Sequence, residues 1–328
     1  MGALAKKAFN DYAPDAATMA KIFGINGLEI LIHTQVTQKL DREPIEDYRI
    51  DFEDGFGVRP DNEEDAAADN AAREVTAAVQ ARSLPRMFGI RVKSFYSEAT
   101  KARARRTLDR FLANATLPEN FVVTLPKITA PEQVAELVKA YPGVSIEIMI
   151  ETPQSIFMLR ELLDAAEGRC LAAHFGAYDY MASLGITAAS QDLRHPACDF
   201  ARSMMLATLA ETGVWLVDGA TNQLPFPPEV HRAWKLHHDN IRHSLYNGFY
   251  QGWDLHPAQI PARLIAVHAF FLEGLAEASA RLRNFRDQSE QATRVGAIFD
   301  DAATGRGLVN FFDRAVRCGA IQESDVPK

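Results

Sequence analysis

Two carboxylates in the middle of the chain each follow an apolar run. Glu151 comes directly after residues 146–150, and Asp179 follows residues 171–175 after a short turn. Apolar runs of this length predict buried strands. Each carboxylate is therefore predicted at the carboxyl end of a strand, where alternating α/β proteins place their chemistry.

The segment between the two runs predicts a helix. Its apolar residues Ile156, Leu159 and Leu162 have helical spacing, and Gly168 suits the end of the helix. A right-handed crossover between parallel strands brings both carboxyl ends to the same side of the sheet. The two carboxylates would then form a site for a hard divalent cation such as Mg²⁺. The residues alone leave an alternative, in which one carboxylate caps a helix and the other fixes a loop.

The same alternation of apolar runs and helical segments continues along the chain. The predicted strands cover residues 28–34, 48–52, 87–92, 121–125, 146–150, 171–175, 214–217 and 252–255. Eight strands that alternate with helices predict an α/β fold of the (β/α)8 TIM barrel type with a C-terminal helical extension. We expect residues 1–260 to form the barrel with the metal site, and residues 261–328 to form the extension or a lid.

Ionisable residues follow nearly every predicted strand. They are Asp51, Glu53, Asp54, Arg91, Lys127, Glu151, Asp179, Asp218 and His256. A barrel carries its active site at the carboxyl ends of its strands, so this set predicts an active site. Its acids would hold a metal, and Arg91 and Lys127 would bind an anionic substrate.

Composition argues against several partners and compartments. The formal net charge of −8 is opposite to what a nucleic-acid-binding surface needs. No apolar run approaches the roughly 18 residues of a membrane span. Only three cysteines occur, at Cys170, Cys198 and Cys318, and their wide spacing fits a reducing compartment, which predicts a cytoplasmic protein.

One basic cluster departs from the acidic average. It contains Lys101, Arg103, Arg105 and Arg106 in a predicted helix. It is interpreted as a solvated helix face, with contact to a substrate phosphate as the alternative. The chain has neither a G-x-G-x-x-G motif after its early strands nor a Walker loop, which argues against a nucleotide-binding site of those types.

Several motifs together resemble the citrate lyase β-subunit / HpcH–HpaI aldolase superfamily, whose fold is similar to the phosphoenolpyruvate/pyruvate barrels. In chain order the motifs are DFEDGFGVRP with downstream AAREV, GIRVKS, LPKI, IMIETPQSI, HFGAYDYMASLGI and GFYQGWDLHPAQI. Each motif is weak alone. Their shared order and spacing cover nearly the whole chain and make the resemblance specific.

The resemblance implies roles for particular residues. Glu151 and Asp179 would be the ligands of Mg²⁺, with Mn²⁺ as an alternative, and Arg91 would bind the substrate. Glu53 and Asp54 would order water on the metal. The catalytic acid or base of the family's CoA-ester members would correspond to Asp300 in GAIFDDAATGRG, although the neighbouring Asp301 leaves the register open.

The sequence also departs from the family pattern on the substrate side. Lys93 replaces the usual asparagine after the arginine, Gln154 and Ser155 replace a small residue, and Gly252-Trp253 replaces Gly-Lys. The usual opening Leu-x-x-Pro-Gly is also absent. A CoA thioester is therefore an uncertain substrate, while the predicted metal ligands are undisturbed.

The implied activity is a Mg²⁺-dependent carbon–carbon lyase that cleaves or forms a β-hydroxy acid, or its CoA thioester, through an enolate. Arg91 would supply a bidentate clamp, and the amides of Gly176 and Ala177 would donate to an oxyanion. Lys127 as a Schiff-base nucleophile is an alternative. The other candidate functions are a CoA thioesterase, a CoA-independent class II oxo-acid aldolase and a non-catalytic partner subunit.

The chain continues past the last predicted strand, and this extension predicts assembly. An acidic pair at residues 300–301 is followed by the glycine-rich ATGRG, which suits a lid that closes over a site. The resemblance places such a lid over a neighbouring subunit. We therefore expect a homo-oligomer, a trimer or a multiple of it, in which Asp300 completes the neighbour's site; the alternative is that the last helix covers its own barrel.

Overall fold

A parallel sheet positions most of the predicted site residues. The structure, a computed structural model, describes residues 1–287, 293–295 and 298–327. The sheet has seven strands in the order β1-β2-β3-β4-β5-β6-β7. These are β1 (Asp47–Asp51), β2 (Met87–Arg91), β3 (Phe121–Leu125), β4 (Ser145–Ile150), β5 (Cys170–Phe175), β6 (Trp215–Asp218) and β7 (Gln251–Gly252). Because every neighbouring pair is parallel, all carboxyl ends lie at one edge of the sheet.

The predicted closed eight-stranded TIM barrel is wrong. The strand order begins at β1 and ends at β7, so the sheet is open within the described part of the chain. The predicted first strand, residues 28–34, is instead the start of the helix Glu29–Arg42. Its buried residues Ile32, Val36 and Leu40 recur every fourth position, which is the helical period rather than the strand period of two. The other seven predicted strands correspond to β1–β7.

Helices fill most of the remaining described chain. They are α1 (Gly2–Tyr12), α2 (Ala16–Phe23), α3 (Glu29–Arg42), α4 (Asp61–Gln80), α5 (Glu98–Asn114), α6 (Pro131–Ala140), α7 (Pro153–Phe157), α8 (Leu159–Ala165), α9 (Ala177–Ser183), α10 (Pro196–Leu209), α11 (Val230–Tyr246), α12 (Ile260–Asp287) and α13 (Ala302–Arg317). Two short antiparallel strands, β8 (Thr293–Val295) and β9 (Ile298–Asp300), precede α13.

The chain divides into two compact units, and the sheet lies wholly in one of them. This sheet unit comprises Ile45–Ala220 and Asn247–Trp253. All five residues of β3 are buried, and so are five of the six in β4. Buried parallel strands read as near-continuous apolar runs because both faces are covered. This explains why the sequence located the central strands well.

Ion pairs join α4 to α5 in the sheet unit. Arg103 and Arg106 both contact the Asp65 carboxylate, and Arg103 Nη2 lies 2.8 Å from Asp65 Oδ1. Arg110 pairs with Asp69 one turn further along. Hydrogen bonds from Arg106 and Arg103 hold the pKa of Asp65 down to about 2. Two residues of the predicted basic cluster thus contact an acidic helix, whereas Lys101 and Arg105 pair with Glu136 instead.

The second unit is mostly helical and comprises Met1–Pro44, Thr221–Tyr246 and Asp254–Lys328. Its largest fully buried side chain is Trp234 on α11. The ring centroid of Trp234 lies 6.2 Å from both Tyr12 and Phe23, and Nε1 donates to the Ala258 carbonyl at 2.5 Å. Aromatic packing with a satisfied indole N–H thus joins α1, α2 and α11.

The glycine-rich segment ATGRG, predicted to belong to a lid, is helical. It forms the first turns of α13, and the Asp301 carboxylate caps this helix by accepting from the Ala303 and Thr304 amides at 2.9 and 3.1 Å. A Cβ at Gly305 would lie 2.6 Å from the Phe285 ring, so this glycine permits close packing of α13 on α12. Packing therefore accounts for the glycine at this position.

None of the described helices contains an apolar stretch long enough to span a lipid bilayer.

Candidate active site

Glu151 is a deeply buried carboxylate at the sheet edge. It directly follows β4 and is 1% exposed. A Cβ at Gly176 would lie 2.5 Å from Glu151 Oε2, so only glycine fits beside this carboxylate. Burial raises the pKa of Glu151, and the nearby Asp179 carboxylate raises it further. Such a group favours a cation as a neighbour because burial penalises its charge.

Lys127 connects the acids of the site. Its backbone has φ = +52°, a left-handed conformation that costs a non-glycine residue about 1–2 kcal/mol. Its N–H donates to Glu151 Oε1 at 2.5 Å. Its Nζ donates to Glu53 Oε1 at 2.6 Å and to Asp54 Oδ2 at 2.8 Å, and lies 3.9 Å from Asp179 Oδ1. One residue thereby contacts both predicted metal ligands and both acids predicted to order water on the metal.

The same contacts set the charge of Lys127. Burial disfavours the ammonium, but the hydrogen bonds to Asp54 and Glu53 outweigh it, so the pKa of Lys127 is raised above its ordinary value. A Schiff-base nucleophile must be a neutral amine. The surroundings of Lys127 therefore disfavour that alternative and favour a permanent positive charge.

Asp179 and its flanking residues lie at the start of α9. The Asp179 side chain is 45% exposed, which leaves its carboxylate accessible to a ligand. The Gly176 amide donates to the Ile150 carbonyl at 3.0 Å, so this predicted oxyanion donor already has a partner. Ala177 is the first residue of α9, and first-turn amides lack partners within their own helix.

Arg91 is held by Asp51 of the neighbouring strand. Its Nε and Nη2 donate to the two oxygens of Asp51 at 2.8 and 2.6 Å. The remaining nitrogen, Nη1, contacts Met149 Sδ at 3.7 Å and lies 3.5 Å from Glu53 Oε2. The bidentate fork predicted for substrate is thus occupied by Asp51, and Nη1 is the nitrogen not committed to it.

Sequence reasoning missed the role of Asp51 and the aromatic cover of Arg91. Asp51 and Arg91 are direct partners in the register of β1 and β2, so aligning the two strand ends could have found this pair. The Trp253 ring centroid lies 5.1 Å from the Arg91 guanidinium and 4.1 Å from the His174 ring. Burial and the charges of Arg91 and Arg49 lower the pKa of His174, so its ring is neutral.

Two other predicted edge residues make structural contacts. Asp218 is buried and accepts from Arg202 Nε at 2.9 Å, deep in the sheet unit. His256 belongs to the helical unit. There its Nδ1 accepts from the Ala258 amide at 3.1 Å and its ring packs edge-on against Phe226. These contacts give both residues a structural role.

The predicted acid or base, Asp300, is the last residue of β9, and its side chain lies outside the described part of the structure. Its neighbour Asp301 is described and caps α13. A carboxylate that accepts two helix amides is committed to that cap. Asp301 is therefore occupied by a structural contact.

Two carboxylates, Glu151 and Asp179, could hold a metal ion. Within the described residues, no group of three or more His, Cys, Asp or Glu side chains has a metal-binding arrangement. Magnesium binds through one or two carboxylates and keeps several waters, whereas zinc needs three or four protein ligands. The donor set therefore fits Mg²⁺ and does not fit a structural zinc ion.

Fold comparison shows that this chain is similar in fold to citrate lyase β-subunit-like proteins. A citrate lyase from Burkholderia xenovorans superposes with a TM-score of 0.69 at 19% identity, over 92% of this chain and 93% of that one. CitE from Mycobacterium tuberculosis, in complex with magnesium, acetoacetate and coenzyme A, gives 0.64 at 21%, over 87% and 94%. Haloferax volcanii malate synthase gives 0.52 at 14%, over 83% and 81%.

These likenesses establish the fold, and they confirm the resemblance predicted from the motifs at that level. The chain belongs to the family described as Domain of unknown function (DUF6986), whose sequence profile matches residues 1–328. No curated protein matches the sequence.

Proposed function

We propose that the protein is a divalent-cation-dependent carbon–carbon lyase that acts on a small carboxylated substrate. The observation that carries this proposal is the buried Glu151 carboxylate. Its pKa is raised by burial and by the nearby charge of Asp179. Keeping two like charges together at a sheet edge is costly unless a cation joins them. The cation we propose is Mg²⁺, with Mn²⁺ as the alternative.

Glu151 and Asp179 would hold this ion. When bound, it would supply Lewis-acid polarisation of a substrate oxygen and orient the substrate. Glu53 and Asp54 would accept from water around the ion, while Lys127 holds both acids in place through its ammonium. The left-handed backbone of Lys127 would fix the orientation of Glu151 through its N–H.

Two positively charged side chains would bind the substrate. Lys127 remains protonated, and Arg91 retains Nη1 next to Glu53 while Asp51 fixes the plane of its guanidinium. Both groups would stabilise the negative charge that develops on an enolate as the carbon–carbon bond breaks. Asp51 and Trp253 would hold Arg91 in place for this task.

The substrate could be a coenzyme A thioester or a free acid. The similar CitE structure contains acetoacetate and coenzyme A, which supports testing thioesters. Two residues that depart from the family pattern lie near Arg91. Lys93 follows it by two positions, and the Trp253 ring centroid is 5.1 Å from its guanidinium. These departures favour testing free acids as well. A cytoplasmic location belongs to the same proposal, supported by three cysteines that form no disulfide.

Product analysis tests the activity. The purified protein should cleave at least one member of a panel of β-hydroxy acids, oxo acids and their CoA thioesters, and release a new aldehyde or oxo acid. Chelation should abolish the activity and added Mg²⁺ should restore it. Glu151→Gln should also be inactive, because it lacks a carboxylate that would hold the ion. Full activity after exhaustive chelation would contradict the proposal. Release of free thiol without a new carbonyl product would indicate a thioesterase instead.

We further propose that Asp300 supplies the acid or base, and that it does so in a neighbouring subunit of a trimer or a multiple of it. The helix cap at Asp301 supports Asp300 over its neighbour. Asp300→Ala and Glu151→Gln should each be inactive, and mixed oligomers of the two should regain part of the activity. If verified mixed oligomers regain none, each subunit completes its own site.

A further inference from the structure

Lys93 lies two residues after Arg91, where the family that the motifs resemble usually has an asparagine. Its side chain turns toward the loop that follows β1. Lys93 Nζ donates to the Phe52 carbonyl at 2.8 Å and to the Gly57 carbonyl at 3.2 Å. These two carbonyls flank the loop segment that contains Glu53 and Asp54. One ammonium thus holds both ends of the segment that bears the two acids.

The other contacts of Lys93 fix the ammonium itself. Its Nζ lies 3.1 Å from Glu64 Oε2 on α4, and the Glu64 side chain is fully buried while that of Lys93 is 15% exposed. Glu64 accepts in turn from Thr107 Oγ1 on α5 at 2.6 Å. The Phe56 ring centroid is 5.5 Å from Nζ. A buried ion pair with this support is rigid, because leaving either charge alone would be costly.

The held loop reaches the candidate metal site through short contacts. Glu53 and Asp54 both accept from the Lys127 ammonium. The Lys127 amide holds Glu151. A shift of the loop would therefore move the acids, Lys127 and the buried carboxylate together. Lys93 itself contacts none of the proposed metal ligands in the described structure.

We propose that Lys93 is a positioning residue that fixes the Phe52–Gly57 loop and so sets the affinity of the site for a divalent cation. The consequence for cation affinity rests on the proposed function, whereas the consequence for the loop does not. Residues that support metal ligands from outside change metal affinity by about 10–100-fold when they are replaced.

Hydrogen–deuterium exchange and calorimetry on the full chain test the proposal. Lys93→Met keeps the length of the side chain and removes its charge. We expect faster exchange at the amides of residues 53–57, unchanged exchange in β2, and affinity for Mg²⁺ weakened by about tenfold. The matched control is Lys101→Met, because Lys101 is also 15% exposed and pairs with two acids, Glu98 and Glu136, on the helix surface. The control should change neither quantity.

Lys93→Arg is the second variant. It keeps the positive charge and is used if Lys93→Met does not fold. It retains the charge next to Glu64 but replaces the compact ammonium by a larger planar fork with a different donor geometry, so both effects should be intermediate. Wild-type exchange at residues 53–57 in the folded variants would overturn the proposal, as would faster exchange spread evenly over the sheet unit. If the wild-type chain binds no Mg²⁺, the proposed function fails, and the exchange pattern alone decides the role of Lys93.

Discussion

Lys127 shows which features of single residues the sequence reveals and which it hides. The position of Glu151 after an apolar run was readable because a buried strand leaves a clear pattern. The left-handed backbone of Lys127 was not, because a lysine rarely adopts it and no local motif demands it. The capture of Arg91 by Asp51 depends on the register of two strands, which the sequence does not state directly.

Gly176 gives a residue-scale prediction. In Gly176→Ala the new Cβ would lie 2.4 Å from Glu151 Cβ and 2.5 Å from Oε2, so Glu151 must move. We expect affinity for Mg²⁺ to fall by about tenfold or more in titration calorimetry. Gly143→Ala is the control, because a Cβ there meets no atom within 4 Å. Equal affinities in the two variants would show that the position of Glu151 does not govern cation binding.

At the scale of elements, the sequence located strands by burial and misread one amphipathic helix. Residues 28–34 contain four aliphatic residues that suit a strand, but the decisive pattern continues to Leu40 and lies in α3. Only the longer window shows the fourfold spacing of Ile32, Val36 and Leu40. The two-residue strand β7 was found because it follows the pattern of its neighbours, although its predicted extent of 252–255 was too long.

The contact between α12 and α13 gives an element-scale prediction with an internal control. Gly305→Ala places a Cβ 2.6 Å from the Phe285 ring, and such overpacking costs typically 1–3 kcal/mol. Gly307→Ala meets no atom within 4 Å in the same helix and should stabilise it by about 0.5–1 kcal/mol. Thermal unfolding should therefore shift down for the first variant and up for the second. An upward shift for both would mean that this packing is not needed.

At the scale of the whole molecule, the alternation of strands and helices predicted the α/β class and the parallel sheet. It did not predict that the sheet stays open, because closure depends on the number and tilt of strands rather than on any one motif. The matching fold of citrate lyase β-subunit-like proteins was accessible because six weak motifs occur in one order. The oligomeric state stays a prediction, since it depends on surfaces that a single chain does not specify.

The central claim is that Glu151 and Asp179 bind a divalent cation, and calorimetric titration of the wild-type chain with Mg²⁺ tests it most directly. We predict one ion bound per chain, no detectable binding to Glu151→Gln, and wild-type binding to the control Asp164→Asn, whose side chain is exposed on α8. Binding of Mg²⁺ with the same affinity to Glu151→Gln and to the wild-type chain would contradict the account, and so would the absence of binding to the wild-type chain.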